Sequence, residues 1–443
     1  MKNILFFIHR YNDIDHFSAI IHFLSNSNQD VNITIISLFP SKGYEFDKRI
    51  IHLTRKNNVN YFNFTNLCIE NYFYKFLNFI AGKGVRSGSL MSDIKFLFKK
   101  KFSIDNLLRV ISNLSAYFLL KFNLYNYVIR FFYSSKWTRN VFENLKPSLI
   151  VIDHAISTGP QRNLQPIKSI IKLAKKNNLN IISFPHGVPL FKFHPRRYDS
   201  IKKNISRDIS NSLIMQHKNW LNECLEFGLD NNKVKIFGIP RFFHKWEKEL
   251  HSIYSSEPLL NKLGKEKIKI VFMDTGPNNY GKMINKVIDT VENLSKNKDV
   301  HLIYKPHTRN HVLNLPYLNN VSYFKEINSI NLIKWADIII GSSSSIMIEC
   351  LYQKKLYVSP SYFRENHMIF EEYSACLELK TYKSFLEFSK NITQISLNPY
   401  DHYREQDVWK FYNDIVYNGS KEQVVIKELI EHIINLSNEK LLN

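Results

Sequence analysis

The sequence predicts an α/β protein with two Rossmann-like domains that face one cleft. A chain of 443 residues is too long for a single ordinary core, so two domains are expected. Short apolar runs typical of β-strands alternate with helical segments, which is the pattern of parallel sheets covered by helices. Polar turns follow several of these runs directly. Because the carboxyl ends of parallel strands share one edge of a sheet, such turns are expected to converge.

The strand candidates form two series along the chain. The first series covers residues 4–8, 33–38, 149–153, 181–184 and 212–215. The second series covers residues 234–237, 268–273, 301–304, 338–340 and 356–358. Gly-Ile-Pro at positions 238–240 ends a strand with two residues that interrupt regular structure. We therefore predict a first domain over 1–238 and a second over 239–443.

Two further segments are predicted to be helical. Between residues 82 and 146 the alternation gives way to a stretch rich in aromatic and basic residues, which predicts a helical insertion in the first domain. Such a composition suits a surface that rests on an anionic bilayer, but it equally suits helices that bury aromatic faces on the first domain. We favour the second interpretation. Apolar residues recur at helical spacing from 422 to 442, which predicts an amphipathic C-terminal helix.

The charge of the chain is strongly positive, with 60 Lys and Arg against 39 Asp and Glu and a net charge of +21. This excess indicates an anionic partner: nucleic acid, an acidic membrane surface or a phosphorylated substrate. A basic nucleic-acid-binding protein is the non-enzymatic alternative. The basic residues are dispersed, and no helix-turn-helix, zinc or RNA-binding motif is visible, so nucleic acid is not the expected partner.

The cysteines and the hydropathy pattern indicate the cellular compartment in which the protein is expected. Four cysteines lie far apart without a CxxC pair, so neither a metal site nor a disulfide framework is predicted, and a reducing cytoplasm is expected. The apolar run at residues 4–8 is short for a signal peptide and predicts a first strand. The sequence contains no uninterrupted run of 18 apolar residues, so a spanning helix is not expected. Contact with the cytoplasmic face of the inner membrane would then be peripheral.

A serine-rich turn is the most informative motif. The apolar run 338–340 is followed by Gly341 and by Ser342, Ser343, Ser344 and Ser345, just before a predicted helix. Hydroxyls beside the free N–H groups of a helix start form a natural phosphate site, although serine there is also an ordinary cap. Glu349 lies four residues after Ser345, whereas a capping box needs a spacing of three. Glu349 is therefore a candidate for binding ribose hydroxyls.

Three other polar turns follow strand candidates in the same way. His186 and Gly187 follow the run 181–184, and Lys305 and His307 follow the run 301–304. The loop at 274–281, which includes Gly276, follows the run 268–273 and offers backbone N–H groups to a phosphate. Two histidines, a lysine and a serine turn are thus expected in one cleft.

The order of these motifs resembles that of GT-B glycosyltransferases of bacterial surface-polysaccharide assembly, especially capsule and teichoic-acid enzymes that use CMP- or CDP-activated donors. The matching residues are His186-Gly187, Lys305-Pro306-His307, and Ser342–Ser345 with Glu349. The segment 234–241 also resembles the segment that joins the two domains in that group. The resemblance spans roughly residues 149–360. Thr308 departs from it, since the family often has proline or a second histidine there.

The resemblance implies transfer of a sugar from a nucleotide-activated donor to a growing capsule, lipopolysaccharide or teichoic-acid-like glycan. The acceptor would be a glycan or a lipid-linked acceptor. It also implies metal-independent chemistry with no cofactor besides the donor. Lys305, His307, Gly276 and the turn Ser343, Ser344, Ser345 would hold the nucleotide phosphate, with Glu349 on the ribose.

The acceptor side needs a base, and His186 is the first candidate because the pKa of imidazole suits proton transfer near neutrality. Asp153 and His154 are the alternative pair, and Asp13 or His9 comes third, with Gly187 beside the acceptor. The Asp13-Ile-Asp15 motif lies just past the first strand, so we interpret it as a loop or helix start, not as a metal site.

Two other enzymatic functions share these features. A glycerol- or ribitol-phosphate transferase would use the same cleft to attack phosphorus in place of an anomeric carbon. A nucleotide-sugar 2-epimerase shares the two-domain fold, but would need a richer set of acids in the cleft than the sequence identifies.

Overall fold

The structure, a computed structural model, describes most of the chain outside the predicted insertion. The described residues are 1–9, 11–27, 29–38, 44–63, 135–153, 165–185, 187–188, 190, 210–218, 221, 225, 230–255, 257–264, 267–276, 280–307, 313, 315, 318 and 321–439. Most of the predicted insertion at 82–146 lies outside these ranges, and its last part, from 135 to 145, is helical.

The first sheet has seven parallel strands in the order β3-β2-β1-β4-β5-β6-β7. Its strands are β1 (Lys2–Ile8), β2 (Val31–Ser37), β3 (Val59–Asn63), β4 (Leu149–Asp153), β5 (Asn180–Phe184), β6 (Ser212–Met215) and β7 (Val234–Ile236). Every residue of β4 and β5 is buried, as expected for central strands covered on both faces. The strand predicted at 234–237 was assigned to the second series, but Val234 pairs with Leu213 in this first sheet. That assignment was wrong because order along the chain does not reveal which sheet a strand joins.

Four helices from the first part of the chain accompany this sheet among the described residues. They are α1 (Tyr11–Ser25), α2 (Lys48–Thr54), α3 (Ser135–Leu145) and α4 (Gln165–Lys176). On one side of the sheet, α3 and α4 enclose a separate apolar cluster with alternate residues of the strands. The other side of the sheet shares one continuous core with the second sheet.

The second sheet has six parallel strands in the order β10-β9-β8-β11-β12-β13. Its strands are β8 (Ile268–Met273), β9 (Val300–Lys305), β10 (Val321–Tyr323), β11 (Ile338–Gly341), β12 (Leu356–Pro360) and β13 (Leu377–Leu379). The remaining helices are α5 (His244–Ile253), α6 (Ile284–Lys296), α7 (Ser329–Trp335), α8 (Met347–Tyr352), α9 (Ile369–Glu372), α10 (Tyr382–Lys390), α11 (Glu405–Phe411) and α12 (Glu422–Asn438). Two Rossmann-like sheets are therefore present, as the sequence predicts.

The C-terminal helix α12 packs on the first sheet. Asn180 of β5 donates its side-chain N–H groups to the carbonyls of Leu436 and Glu439, at 2.9 and 3.0 Å. Ser212 of β6 lies 2.8 Å from Nε2 of His432. The sequence predicted this helix, but in the predicted division it fell within the second domain, and its contacts are with the first sheet.

The chain passes between the two sheets at a tight joint. Gly238 has a left-handed φ of +64°, and a Cβ there would lie 2.1 Å from the carbonyl oxygen of Val416. The backbone N–H of Ile239 donates to that same oxygen at 2.8 Å. Only glycine fits this conformation and this approach. A 3-10 turn at Pro240–Phe242 then leads into α5, the linker helix.

In the described part of the chain, the helices lack the combination of length and apolar character that crossing a membrane requires.

Candidate functional site

The serine turn follows β11, whose four residues are all buried. Gly341 leaves room for the side chain of Met347, whose terminal methyl lies 2.5 Å from the position that a Cβ would take. Ser343 adopts a left-handed φ of +58°, a strained conformation that non-glycine residues adopt mainly at special sites. Helix α8 begins at Met347, and its N-cap is Ile346, without a side-chain bond.

Ser345 is therefore not the N-cap of this helix, and the alternative interpretation of the serines as ordinary caps does not hold for it. The turn is closed by backbone bonds instead: the N–H groups of Met347 and Ile348 donate to the carbonyls of Ser344 and Ser345. The side chains of Ser344 and Ser345 are partly exposed on the turn.

A buried arginine lies behind this turn, and the sequence analysis missed it. One Nη of Arg364 donates to the hydroxyl of Ser342 at 3.0 Å, and the other forms an ion pair with Glu371. Ser359 donates to the same carboxylate at 2.6 Å. Burial lowers the pKa of Arg364, but a guanidinium stays protonated in proteins. The turn therefore rests on a buried arginine whose charge is balanced by Glu371, and the signal for it was a charged residue just past the apolar strand β12.

Lys305 ends β9 and is buried. Its ammonium donates to the carbonyls of Lys325 and Ile327, at 2.6 and 2.7 Å. Burial lowers its pKa to about 8. Two of its three N–H groups are thus used to hold the segment after β10, which leaves one for a ligand. His307, two residues further along, is half-buried at the same edge of the sheet.

The loop after β8 is organised by Asp274, a second residue that the sequence analysis did not identify. Its carboxylate accepts three hydrogen bonds, from the hydroxyls of Tyr280 and Tyr304 at 2.9 and 2.5 Å and from the N–H of Gly276 at 2.8 Å. Burial raises the pKa of both tyrosines, so both remain donors at neutral pH. Gly276 and Tyr280 are therefore both bonded to one carboxylate, which follows directly on strand β8.

Glu349 lies on α8 and is 1% exposed. Its Oε1 accepts from Nε2 of His251 and from the side-chain amide of Gln353, both at 2.6 Å. The sequence analysis treated Glu349 as free for a ligand, whereas the structure gives it protein partners. Contact with a ribose would require the carboxylate to exchange them, and this role stays a prediction.

The first-domain edge contains the acceptor-side candidates. Asp153 ends β4 and is buried. Asp13 lies in the first turn of α1 and accepts from the backbone N–H of His9 at 2.6 Å, so it stabilises the turn between β1 and α1. Asp15 in the same turn forms ion pairs with Arg49 and Arg241. The Asp-x-Asp motif is thus a helix start, as the sequence predicts.

His154 and His186 lie outside the described residues. Gly187 is described and partly exposed, and no atom of a described residue lies within 4 Å of the position a Cβ would take there.

The two sheet edges meet beside the serine turn. The carbonyl of Leu190, three residues after Gly187, accepts from the backbone N–H of Ile369 in the second domain at 2.9 Å. The neighbouring Met368 places its sulfur 3.2 Å from the backbone N of Ser343. One continuous path of contacts therefore joins the segment after the His-Gly turn to the serine turn across the cleft.

Comparison with solved structures identifies the arrangement of the two sheets. UDP-N-acetylglucosamine 2-epimerase from Rickettsia bellii matches with a TM-score of 0.58 and 13% identity, over 99% of this chain and 97% of that one. The UDP-GlcNAc 2-epimerase from Neisseria meningitidis, bound to UDP-GlcNAc, matches with a TM-score of 0.57 and 12% identity, over 98% and 100% of the two chains. MnaA of S. aureus with UDP matches with a TM-score of 0.55 and 12% identity, over the whole of both chains.

The chain has the GT-B fold. At identities of 12–13% the likeness extends to the fold alone. No protein-family model matches the sequence, and no curated protein matches it.

Proposed function

We propose that this GT-B protein is a glycosyltransferase that moves a sugar from a nucleotide-activated donor to a surface glycan. The observation that carries the proposal is the contact between Leu190 and Ile369, because it brings the segment after the His-Gly turn to the serine turn. Donor phosphate and acceptor hydroxyl have to meet in such a cleft for transfer to occur.

The second-domain edge is suited to the donor phosphate. The hydroxyls of Ser344 and Ser345, the remaining N–H of Lys305 and the ring of His307 are hydrogen-bonding groups of this edge, and Arg364, paired with Glu371, holds the hydroxyl of Ser342 from behind. As the bond to the sugar breaks, negative charge grows on the phosphate, and preorganised donors stabilise it. The protein's own residues would thus stabilise the leaving group, without a metal ion in this step.

The first-domain edge would supply the base. His186 is the first candidate to take the proton of the acceptor hydroxyl, with Asp153 and His154 as alternatives. Asp13 is a weaker candidate than the sequence suggests, since its carboxylate accepts a bond from its own turn. The acceptor proposed is a capsule, lipopolysaccharide or teichoic-acid-like glycan, by resemblance of motif order.

The donor nucleotide is tested by thermal unfolding with CMP, CDP, UDP, GDP and ADP, since a ligand that binds the folded state raises the midpoint. The motif order favours CMP or CDP, whereas the names of the fold neighbours favour UDP. His307→Ala should abolish the shift. His301→Ala is the matched control, because His301 lies at the opposite end of the same strand β9 and pairs with Ser322. Equal shifts in both variants, or none in the wild type, would reject the site.

A nucleotide-sugar 2-epimerase is the second candidate, favoured by the fold neighbours, which are named as such enzymes. Incubation with UDP-GlcNAc alone, followed by NMR of the sugar, separates the two functions. Inversion at C2 without an acceptor supports the epimerase. Nucleotide release that depends on an acceptor supports a transferase, and release of CMP from CDP-glycerol would instead identify a polyol-phosphate transferase.

A further inference from the structure

Two buried carboxyl groups lie together between the linker helix α5 and helix α8. Glu247 and Glu349 are each 1% exposed, and with His251 they form a group whose side-chain polar atoms lie within 4.8 Å of one another. Oε1 of Glu349 already accepts from His251 and Gln353. Glu247 thus brings a second acid to a carboxylate that has been removed from water.

Two ionised carboxylates at such a distance repel each other strongly, so one of them must be neutral or a cation must lie between them. Among the described residues, Oε2 of Glu247 has no hydrogen-bond partner. Burial, followed by the charge of Glu349, raises the pKa of Glu247 well above its usual value, and Arg241 offsets this only in part. The charged or titratable groups that face the pair are Arg241, His251, Tyr352, Tyr412 and Tyr417.

We propose that Glu247 is a neutral positioning residue, whose carboxylic acid O–H donates to Glu349 and thereby fastens the linker helix to the helix of the serine turn. Glu349 then accepts from three donors, two of which lie on the linker helix. Because the backbone N–H of Glu349 bonds to the carbonyl of Ile346, the fastening acts directly on the end of the serine turn.

The opposite side of the linker helix contacts the first domain. The ring of Trp246 lies 5.1 Å from that of His22 in α1, measured between centroids. Oε1 of Glu249 lies 3.1 Å from Nε2 of His52 in α2. The linker helix is therefore in contact with both domains. The proton between Glu247 and Glu349 couples the position of this helix to the donor side of the cleft.

A divalent cation held by Glu247, His251 and Glu349 would balance the same charges. The spacing favours the proton. Nε2 of His251 lies 2.6 Å from Oε1 of Glu349, which is a hydrogen-bond distance, whereas two tetrahedral ligands of one zinc ion stand about 3.3 Å apart.

The test compares Glu247→Gln with Glu247→Ala in the full chain. The amide of Gln is neutral and still donates, so this variant should keep the wild-type unfolding midpoint at pH 6, whereas Ala should lower it by several degrees. An acid whose pKa is raised in the fold contributes stability that is lost as pH rises toward that folded pKa. The unfolding midpoint of Glu247→Gln should therefore rise relative to that of the wild type between pH 6 and pH 9.

Glu249→Gln is the matched control, since Glu249 lies on the same helix with its side chain 35% exposed, and it should show no such gain. Equal destabilisation by Gln and Ala at every pH would overturn the proposal, as would a stoichiometric metal in the wild type that Glu247→Gln loses. Should neither variant fold, the wild type still decides the matter: its infrared spectrum at neutral pH must contain the carbonyl band of a buried, protonated carboxylic acid.

The effect on the cleft rests on the proposed function and is measured separately. Glu247→Gln should retain the nucleotide-induced midpoint shift of the wild type, and Glu247→Ala should reduce it. A wild type that responds to no nucleotide rejects the proposed function alone, because the pH series and the infrared band test the shared proton without a ligand. Retention of the full shift by Glu247→Ala would overturn the link to the serine turn.

Discussion

The chain passes between the two domains twice, after Gly238 and after Val416. Replacing Gly238 by alanine tests how closely these two segments are packed. The added Cβ would lie 2.1 Å from the carbonyl oxygen of Val416 and 3.1 Å from its carbon. Real Cβ atoms essentially never come closer than 3.0 Å to another heavy atom, so the backbone would have to move by about 0.9 Å, the difference between 3.0 and 2.1 Å. A backbone carbonyl cannot turn away as a flexible side chain can.

The expected cost has three sources. A left-handed conformation costs an L-residue about 1–2 kcal/mol. Forcing an extra carbon into a packed site costs about 1–3 kcal/mol. The displacement also breaks the 2.8 Å bond from the N–H of Ile239 to Val416, and an unsatisfied buried group costs about 1–3 kcal/mol. Gly238→Ala should therefore lower the free energy of unfolding by about 3–6 kcal/mol, since the three contributions overlap.

Gly419→Ala is the matched control. Gly419 has a similar φ of +75°, and no atom of a described residue lies within 4 Å of its added Cβ, so only the conformational cost of about 1–2 kcal/mol applies. Urea unfolding followed by circular dichroism measures both variants. Equal losses of stability would refute the argument, because the close approach to Val416 would then contribute nothing.

Three further predictions concern buried polar groups. Lys305→Met leaves two backbone carbonyls without their donor and should cost about 2–4 kcal/mol in urea unfolding. Asp274→Asn replaces one accepting oxygen by an N–H group that faces tyrosine donors, so it should cost about 1–3 kcal/mol and weaken any nucleotide-induced midpoint shift. Burial lowers the pKa of His432 to about 4, so the wild type should lose stability as pH falls from about 6.5 toward 4. After discounting for its partial exposure, this loss is about 1–2 kcal/mol, and His432→Gln should lack it.

Each of these predictions has a separate control. Lys298→Met alters an exposed lysine and should be neutral, so comparable losses at positions 298 and 305 would contradict the role of the two carbonyls. Tyr280→Phe removes a single bond to Asp274 and should cost less than Asp274→Asn. For His432, identical pH profiles in the wild type and the Gln variant would show that its titration does not affect folding.

The central strands could be predicted from the sequence because burial on both faces leaves uninterrupted apolar runs. The predicted ranges 149–153 and 268–273 coincide with β4 and β8. The edge strands β3, β10 and β13 were missed because each has a partner on one side only and carries exposed or partly exposed residues. A five-residue strand with two Asn residues, as in β3, does not stand out from a loop.

The candidate site was predictable in outline, since polar residues just past apolar strands identify one edge of a sheet. The particular partners were not. Asp274 bonds to tyrosine side chains 6 and 30 residues away, and Arg364 bonds to serine side chains 5 and 22 residues away. Glu247 lies beside the carboxylate of Glu349, 102 residues later in the chain. Sequence spacing carries no signal for such contacts. The N-cap at Ile346 and the left-handed φ of Ser343 likewise have no sequence signal, because a strained conformation persists only where the surrounding structure imposes it.

The return of the C-terminal helix to the first sheet has a mechanical consequence. The chain crosses between the sheets once after Gly238 and again after Val416, and the bond from Ile239 to Val416 ties the two crossings side by side. A single connecting segment would allow one domain to rotate about it. Two connecting segments that are bonded to each other resist twisting, so any movement between the domains is expected to be bending about the line that joins these segments.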